Sequence, residues 1–265
     1  MSRLLIHPSP PDAEGRVHAI TPESAGWRYV GFEVFRLGAG QPLALTVPPE
    51  REACLVIVSG VVEIAANGFD LGRLGGRASP FEGSPWSVYL PPAATVEARA
   101  DGEVELALCT APGTGLFPMR VISPVHVGQE TRGSSTNTRF VRNILPEGEP
   151  AESLLVVEVI TPGGHWSSYP SHKHDTDDFP NETYLEETYY HRLERPGFAL
   201  QRVYTDDRSL DETMAVADRD VVLVPRGYHP VGAPHGFNLY YLNVMAGPKR
   251  AWRFRFDPDQ KWLLG

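Results

Sequence analysis

Short apolar runs, each cut off by glycine or proline, dominate this chain and confine it to a fold of many short strands. Cys54-Leu55-Val56-Ile57-Val58 stops at Ser59-Gly60 and resumes as Val61-Val62-Glu63-Ile64. Leu154-Leu155-Val156-Val157-Glu158-Val159-Ile160 stops at Thr161-Pro162-Gly163-Gly164, and Val221-Val222-Leu223-Val224 stops at Pro225. Such runs are rich in β-branched residues, which pack well on a pleated surface. No stretch sustains the 3.6-residue period that an amphipathic helix needs. The 25 glycines and 25 prolines in 265 residues supply turns at the density that a sandwich or barrel requires. Asn67-Gly68 adds a two-residue hairpin signal.

The order of elements repeats. Trp27 to Leu37 ends at Gly38-Ala39-Gly40 much as Leu154 to Ile160 ends at its glycines. Val88-Tyr89-Leu90-Pro91-Pro92 is echoed by Val221 to Pro225, and the strand around Cys109 by Phe237 to Val244. The chain is therefore expected to be all-β, with one barrel over residues 1–125 and a second over 126–265. Residues 1–25 carry little pattern and read as an arm, and His7, His18, His126 and His235 sit in loop-like, exposed contexts.

Charge and cysteine content exclude several classes. A net charge of −9 with no Lys- or Arg-rich run argues against nucleic acid and charged membrane surfaces as partners. No apolar run reaches membrane-spanning length. Cys54 and Cys109 lie inside apolar runs and read as buried reduced thiols, and the N-terminus lacks signal-peptide character, so a cytoplasmic location is expected.

The chemistry gathers in the second half, which holds six of the nine histidines from His165 onward. His172 and His174, two apart on a segment kept extended by Pro170, face the same way. Glu186 and Glu187 open the next strand, and His229 follows Pro225-Arg226-Gly227-Tyr228. Neutral imidazoles joined by one carboxylate suit a divalent cation. Successive strand residues face opposite ways, so only one glutamate can join the histidines. Glu187 is preferred because it alternates with Tyr189 and His191 on the face assigned to the barrel lumen. Three histidines and a glutamate suit zinc or manganese, with iron and nickel as alternatives. The first half offers Leu45-Thr46-Val47-Pro48-Pro49 at the position of the histidine pair, and Glu52 is its sole echo of the glutamates. The first barrel is thus expected to be structural or an interface.

Around the metal set, His191, Tyr189 and Glu186 are candidates for proton transfer. Arg202 is the best placed of Arg192, Arg202, Arg226 and Arg250 to grip a carboxylate, because it follows the metal strand in a hairpin. Tyr204 and Tyr241 are candidate hydroxyl donors to a bound substrate.

Several long motifs resemble the 5-deoxy-glucuronate isomerases of bacterial myo-inositol catabolism. They are Gly163-Gly164-His165-Trp166-Ser167-Ser168-Tyr169-Pro170-Ser171-His172-Lys173-His174-Asp175, Leu185 to Tyr190, Gln201 to Thr205, Asp220 to Val231, and Tyr240 to Pro248. The resemblance runs through the whole chain and is strongest from Leu154 to Trp262. It implies a bicupin with its metal in the C-terminal barrel, held by His172, His174, Glu187 and His229. It also implies a small sugar acid as substrate, an aldose–ketose isomerisation giving 5-dehydro-2-deoxy-gluconate, and a homo-oligomer. The related 4-deoxy-5-hexosulose-uronate ketol-isomerases share the ligand outline, but their glutamate follows the histidine pair closely. Here Asp175 to Tyr184 intervenes. A non-catalytic sugar-acid-binding cupin is the remaining alternative.

Overall fold

The computed structural model describes residues 2–264, almost all of them in strands and the turns between them. Two compact units emerge. One comprises Pro8–Gly128 with Ile144–Val156, and the other Gln129–Asn143, the chain from Val157 onward and the N-terminal residues up to His7. Among the described residues, no helix is long and apolar enough to cross a membrane.

In the first unit a six-stranded sheet runs in the order Arg120–Ile122, Ser87–Leu90, Arg51–Ser59, Val104–Pro112, Gly31–Leu37, Arg16–Ile20. A four-stranded sheet runs Pro42–Thr46, Thr95–Ala100, Val61–Ala66, Phe69–Gly75. Alternate residues of both sheets supply one apolar core, including Phe35, Leu55, Ile57, Ile64, Val96, Leu106 and Leu108. Each such side chain contributes about 1.5–3 kcal/mol on leaving water. Asn67 and Gly68 form the predicted hairpin, both with positive φ, 50° and 78°, as a type I′ turn demands. Ala66 consequently faces Phe69 in register.

The second unit carries a seven-stranded sheet in the order Leu5–Ile6, Val221–Val224, Glu186–Leu193, Leu239–Ala246, Leu155–Thr161, Arg139–Leu145, Gly128–Arg132. A four-stranded sheet (Trp166–Ser167, Val231–Gly232, Ala199–Tyr204, Asp211–Val216) and the short pair of His172–Lys173 with Arg255–Phe256 complete it. The N-terminal residues are not a free arm. Leu5 and Ile6 pair with Val222 and Val221, and Arg16–Ile20 pairs with Gly31–Leu37. His18 lies in that second strand and is buried at 3% exposure, because its strand forms the edge of a packed sheet.

Candidate active site

Two strands and the turn after Val224 bring the key side chains to one point. His172 opens the two-residue strand that pairs with Arg255–Phe256, His174 follows directly after it, and Phe254 packs on the His172 ring at 4.6 Å. Glu187 sits one residue into the Glu186–Leu193 strand, between Val224 and Met245 on its neighbours. His229 follows the turn at Gly227, whose φ of +89° brings its α-carbon against the Tyr204 carbonyl, where a Cβ would lie 2.4 Å from that oxygen. A non-glycine residue there would clash and strain the backbone.

The donor atoms of the three histidines lie within 4.8 Å of one another, and all three residues are buried. Glu187 Oε2 lies 3.0 Å from His174 Nε2 and 3.2 Å from His229 Nε2. These approaches are not aligned as hydrogen bonds, and His172 Nε2, His174 Nε2, His229 Nε2 and Glu187 Oε2 are all buried without a hydrogen-bond partner among the described residues. Three orphaned imidazole nitrogens so close together, with an orphaned carboxylate oxygen beside two of them, are costly unless something positive sits between them. The other ends of the ligands are held. His174 Nδ1 donates to the Leu185 carbonyl at 3.2 Å and His229 Nδ1 to the Gly227 carbonyl at 2.8 Å, which leaves each Nε2 lone pair pointing inward. Asn243 Nδ2 donates to Glu187 Oε1, so Oε2 is the free oxygen. This donor set fits a divalent cation.

The electrostatics agree for three of the four groups. Burial, then the neighbouring His229 and His174, push the His172 pKa well below the usual imidazole range, so the ring is neutral as a ligand must be. Burial raises the Glu187 pKa, but His229 and His174 outweigh it, and the carboxyl stays below its ordinary value. His229 is lowered, chiefly by burial. For His174, burial lowers the pKa, but the carboxylate of Glu187 and the carbonyls around it bring the net shift upward.

A cavity adjoins the ligand set, walled by His172, Tyr189, Tyr241, Ser168 and Asn243, with Arg132, Arg139 and Trp252 also lining it. Tyr189 Oη lies 3.0 Å from Ser168 Oγ, and the Tyr189 and Tyr241 rings meet at 4.8 Å. Burial and then the charge of Glu187 hold the Tyr189 hydroxyl well above the usual phenol range, so it keeps its proton.

Other expected residues lie elsewhere. Arg202 turns away to a two-pronged pair with Asp211, and its side chain is 43% exposed. Its own hairpin partner supplies the counter-charge, so it does not join the cavity wall. Tyr204 donates to Asp257 at 2.5 Å and receives from Gln260 at 3.0 Å, again away from that wall. Glu186 is buried on the opposite face of the strand from Glu187. His191 shares the lumen face and stacks on Tyr189 at 6.0 Å, yet its Nε2 is engaged by Gln201 at 2.8 Å. Burial drops its pKa to about 4, so it is a neutral ring behind the cavity.

Several wall residues, Asn243, Arg132, Arg139 and Trp252 among them, were not singled out from the sequence. Asn243 shares its strand face with Tyr241, and that alternation was the available signal. Arg132 heads a polar connection that runs to Asn137, and Arg139 opens the strand just after it.

A model of the KduI/IolB family matches residues 4–263. The chain is 54% identical to the 5-deoxy-glucuronate isomerase of Geobacillus kaustophilus, with 100% of this chain and 96% of the relative covered. It is 45% identical to that of Bacillus subtilis strain 168, covering 100% and 99%. A crystal structure of an IolB-like protein from Salmonella typhimurium LT2 superposes over the full length of both chains with a TM-score of 0.95 and 52% identity. Oxalate decarboxylase from Bacillus subtilis, 14% identical with a TM-score of 0.65 over 97% of this chain and 80% of its own, shares the two-barrel cupin fold. Matched end to end in sequence and in structure, this chain belongs to the KduI/IolB family.

Proposed function

We infer that the chain is a divalent-metal-dependent aldose–ketose isomerase that converts 5-deoxy-glucuronate to 5-dehydro-2-deoxy-gluconate, a step of myo-inositol breakdown. The observation that carries this reading is the set of four inward-facing, unpartnered ligand atoms beside a cavity walled by proton-bearing hydroxyls. The relatives at 45–54% identity are named for that activity.

An aldose becomes a ketose when a proton leaves the carbon next to the aldehyde and one is delivered to the aldehyde carbon, through an enediol. A cation held by His172, His174, Glu187 and His229 would supply Lewis-acid polarisation of the two oxygens involved. Zinc and manganese suit this nitrogen and oxygen donor set, as do iron and nickel. Tyr189 holds a proton at Oη on the cavity wall and is the group best placed to hydrogen-bond a substrate oxygen. Ser168 fixes the direction of that hydroxyl. Glu186 and His191 are held away from the wall, one on the far sheet face and one against Gln201.

The test is incubation of chelator-stripped, metal-reloaded protein with 5-deoxy-glucuronate, followed by ¹³C NMR and an oxygen electrode. A ketone resonance with no oxygen uptake is expected. Absence of turnover with zinc, manganese, iron and nickel alike overturns the reading. Turnover of 4-deoxy-5-hexosulose-uronate alone assigns the chain to the ketol-isomerase branch.

A further inference from the structure

The arginines of the second unit divide by what they face. Arg142 is paired with Glu158 at 2.8 Å, Arg192 with Asp218 at 2.8 Å and Arg202 with Asp211 at 2.7 Å. Of the two that line the cavity, Arg132 has its carboxylate as well, Glu130 at 2.6 Å, and lies over the Trp252 ring at 4.8 Å. Arg139 has none. Its guanidinium donates only to two carbonyls, Asn137 at 3.2 Å and Tyr169 at 3.4 Å, and among the described residues no Asp or Glu comes within ion-pair distance. Burial lowers its pKa, and the more distant Glu130 carboxylate offsets that only in part. It shares the cavity wall with the ligand His172 and with Tyr189 and Tyr241.

A half-buried guanidinium fixed by two carbonyls, open on its remaining donors and facing the cavity, is a preformed receptor for a planar anion. We propose that Arg139 binds the carboxylate of the sugar acid and thereby sets the preference for a uronate over a neutral hexose. The proposal rests on the isomerase reading for its substrate. The carboxylate lies at the far end of the six-carbon chain from the carbons that exchange the proton. Anchoring it therefore holds the reacting end toward Tyr189 and the ligand set. Positioning of this kind is read mainly in KM and in discrimination between substrates.

The experiment compares metal-loaded wild type, Arg139→Met, Arg139→Lys and Arg132→Met on 5-deoxy-glucuronate and on 5-deoxy-glucose, in which a hydroxymethyl group replaces the carboxylate. Arg139→Met is expected to lower kcat/KM for the uronate by about 10²-fold, the value of a charge-assisted pair, and to leave the neutral sugar within about 3-fold. Arg139→Lys recovers part of the preference, and Arg132→Met keeps most of it. Metal content and melting temperature confirm that each variant is folded, and if Arg139→Met does not fold, Arg139→Lys and Arg139→Gln carry the same comparison. A folded, metal-loaded Arg139→Met with the wild-type preference overturns the proposal, as does loss of the preference in Arg132→Met alone. If wild type turns over neither sugar, the isomerase reading falls. Calorimetric titration with glucuronate then still decides the arginine, because wild type binds and Arg139→Met does not if the proposal holds.

Discussion

The strands Arg51–Ser59 and Glu186–Leu193 occupy the same place in their sheets, and setting them in register shows how one scaffold yields a core and a site. Each lies between a four-residue strand ending at proline and a long antiparallel partner. Ala53 stands opposite Leu90 and Thr110, and Glu187 opposite Val224 and Met245. Carrying this pairing forward, Leu55 and Leu108 match Tyr189 and Asn243, and Ile57 and Leu106 match His191 and Tyr241. In the first unit all five of Ala53, Leu55, Ile57, Leu106 and Leu108 belong to the apolar core. In the second, the same positions hold Glu187, the asparagine that donates to it, two cavity tyrosines and a buried histidine. Backbone register is common to both, and the lumen-facing alternate residues decide between packing and chemistry.

The same register reassigns Glu52. It lies opposite Ala111 as Glu186 lies opposite Ala246, so its counterpart is Glu186 and not Glu187. Glu52 is fully buried and accepts from Tyr89 Oη at 2.6 Å and from the backbone amides of Glu152, Ser153 and Leu154 at 2.8, 2.6 and 2.7 Å. A carboxylate with four donors is satisfied and ties the 152–154 segment to the strand. It is a structural staple.

The comparison breaks most sharply at Glu187. Glu187→Ala gives the second unit the residue that the first has at Ala53. Metal binding should weaken by more than the roughly 10–100-fold that loss of an outer partner causes, with isomerase activity lost alongside. Metal analysis after dialysis checks this, and full occupancy would exclude Glu187 from the ligand set. Next in size, Leu55→Ala opens the first unit's core and should cost about 2–5 kcal/mol in unfolding free energy. Calorimetry should show a lower Tm while metal content per folded chain stays at the wild-type value. If metal falls with Leu55, the division of labour between the halves is wrong.

A smaller change sharpens the steering role. Asn243→Leu installs the first unit's Leu108 and removes the donor on Glu187 Oε1. Metal affinity should fall by about 10–100-fold, as for other outer partners of metal ligands. An Asn243→Asp variant places a second negative charge against Glu187 and should weaken binding too. Competition with a chromogenic chelator measures both.

Most of the candidate site was legible because its signals are local. Two-residue alternation puts His172 with His174 and Glu187 with Tyr189 whatever the rest of the chain does. What was not legible depends on partners far away in sequence. Leu5 and Ile6 become strand only because Val222 and Val221 offer an edge, which nothing near residue 5 announces. Arg202 was expected in a hairpin with the metal strand, but Ala199–Tyr204 pairs instead with Asp211–Val216 and Val231–Gly232, and the guanidinium is drawn to Asp211 on that neighbour. Arg139 opens the run Arg-Phe-Val-Arg-Asn-Ile-Leu, which mixes polar residues on both faces and follows a Gly-Ser-Ser connection, so alternation there carries no clear assignment.

The smallest effect separates how the two units use carboxylates. Glu152, next to the segment held by Glu52, accepts from the Thr114 hydroxyl and amide and from the amides of Gly115 and Leu116. Burial raises its pKa, but these donors outweigh it and hold the carboxyl below 4.5. A folded-state pKa below the unfolded one means that stability is gained above the unfolded value and lost as pH falls through the folded one. The group is largely open to water, so screening limits the contribution to well under about 1 kcal/mol. Wild type should therefore melt slightly higher than Glu152→Gln at pH 7, by no more than about 2–4 °C. That gap should shrink once the pH drops below 4.5, as the wild-type carboxyl takes up its proton. Metal affinity should be the same in both proteins at pH 7, because this carboxylate serves the first unit's loops alone. A gap that widens toward acid would show that Glu152 is strained in the native state instead of stabilised by its four donors.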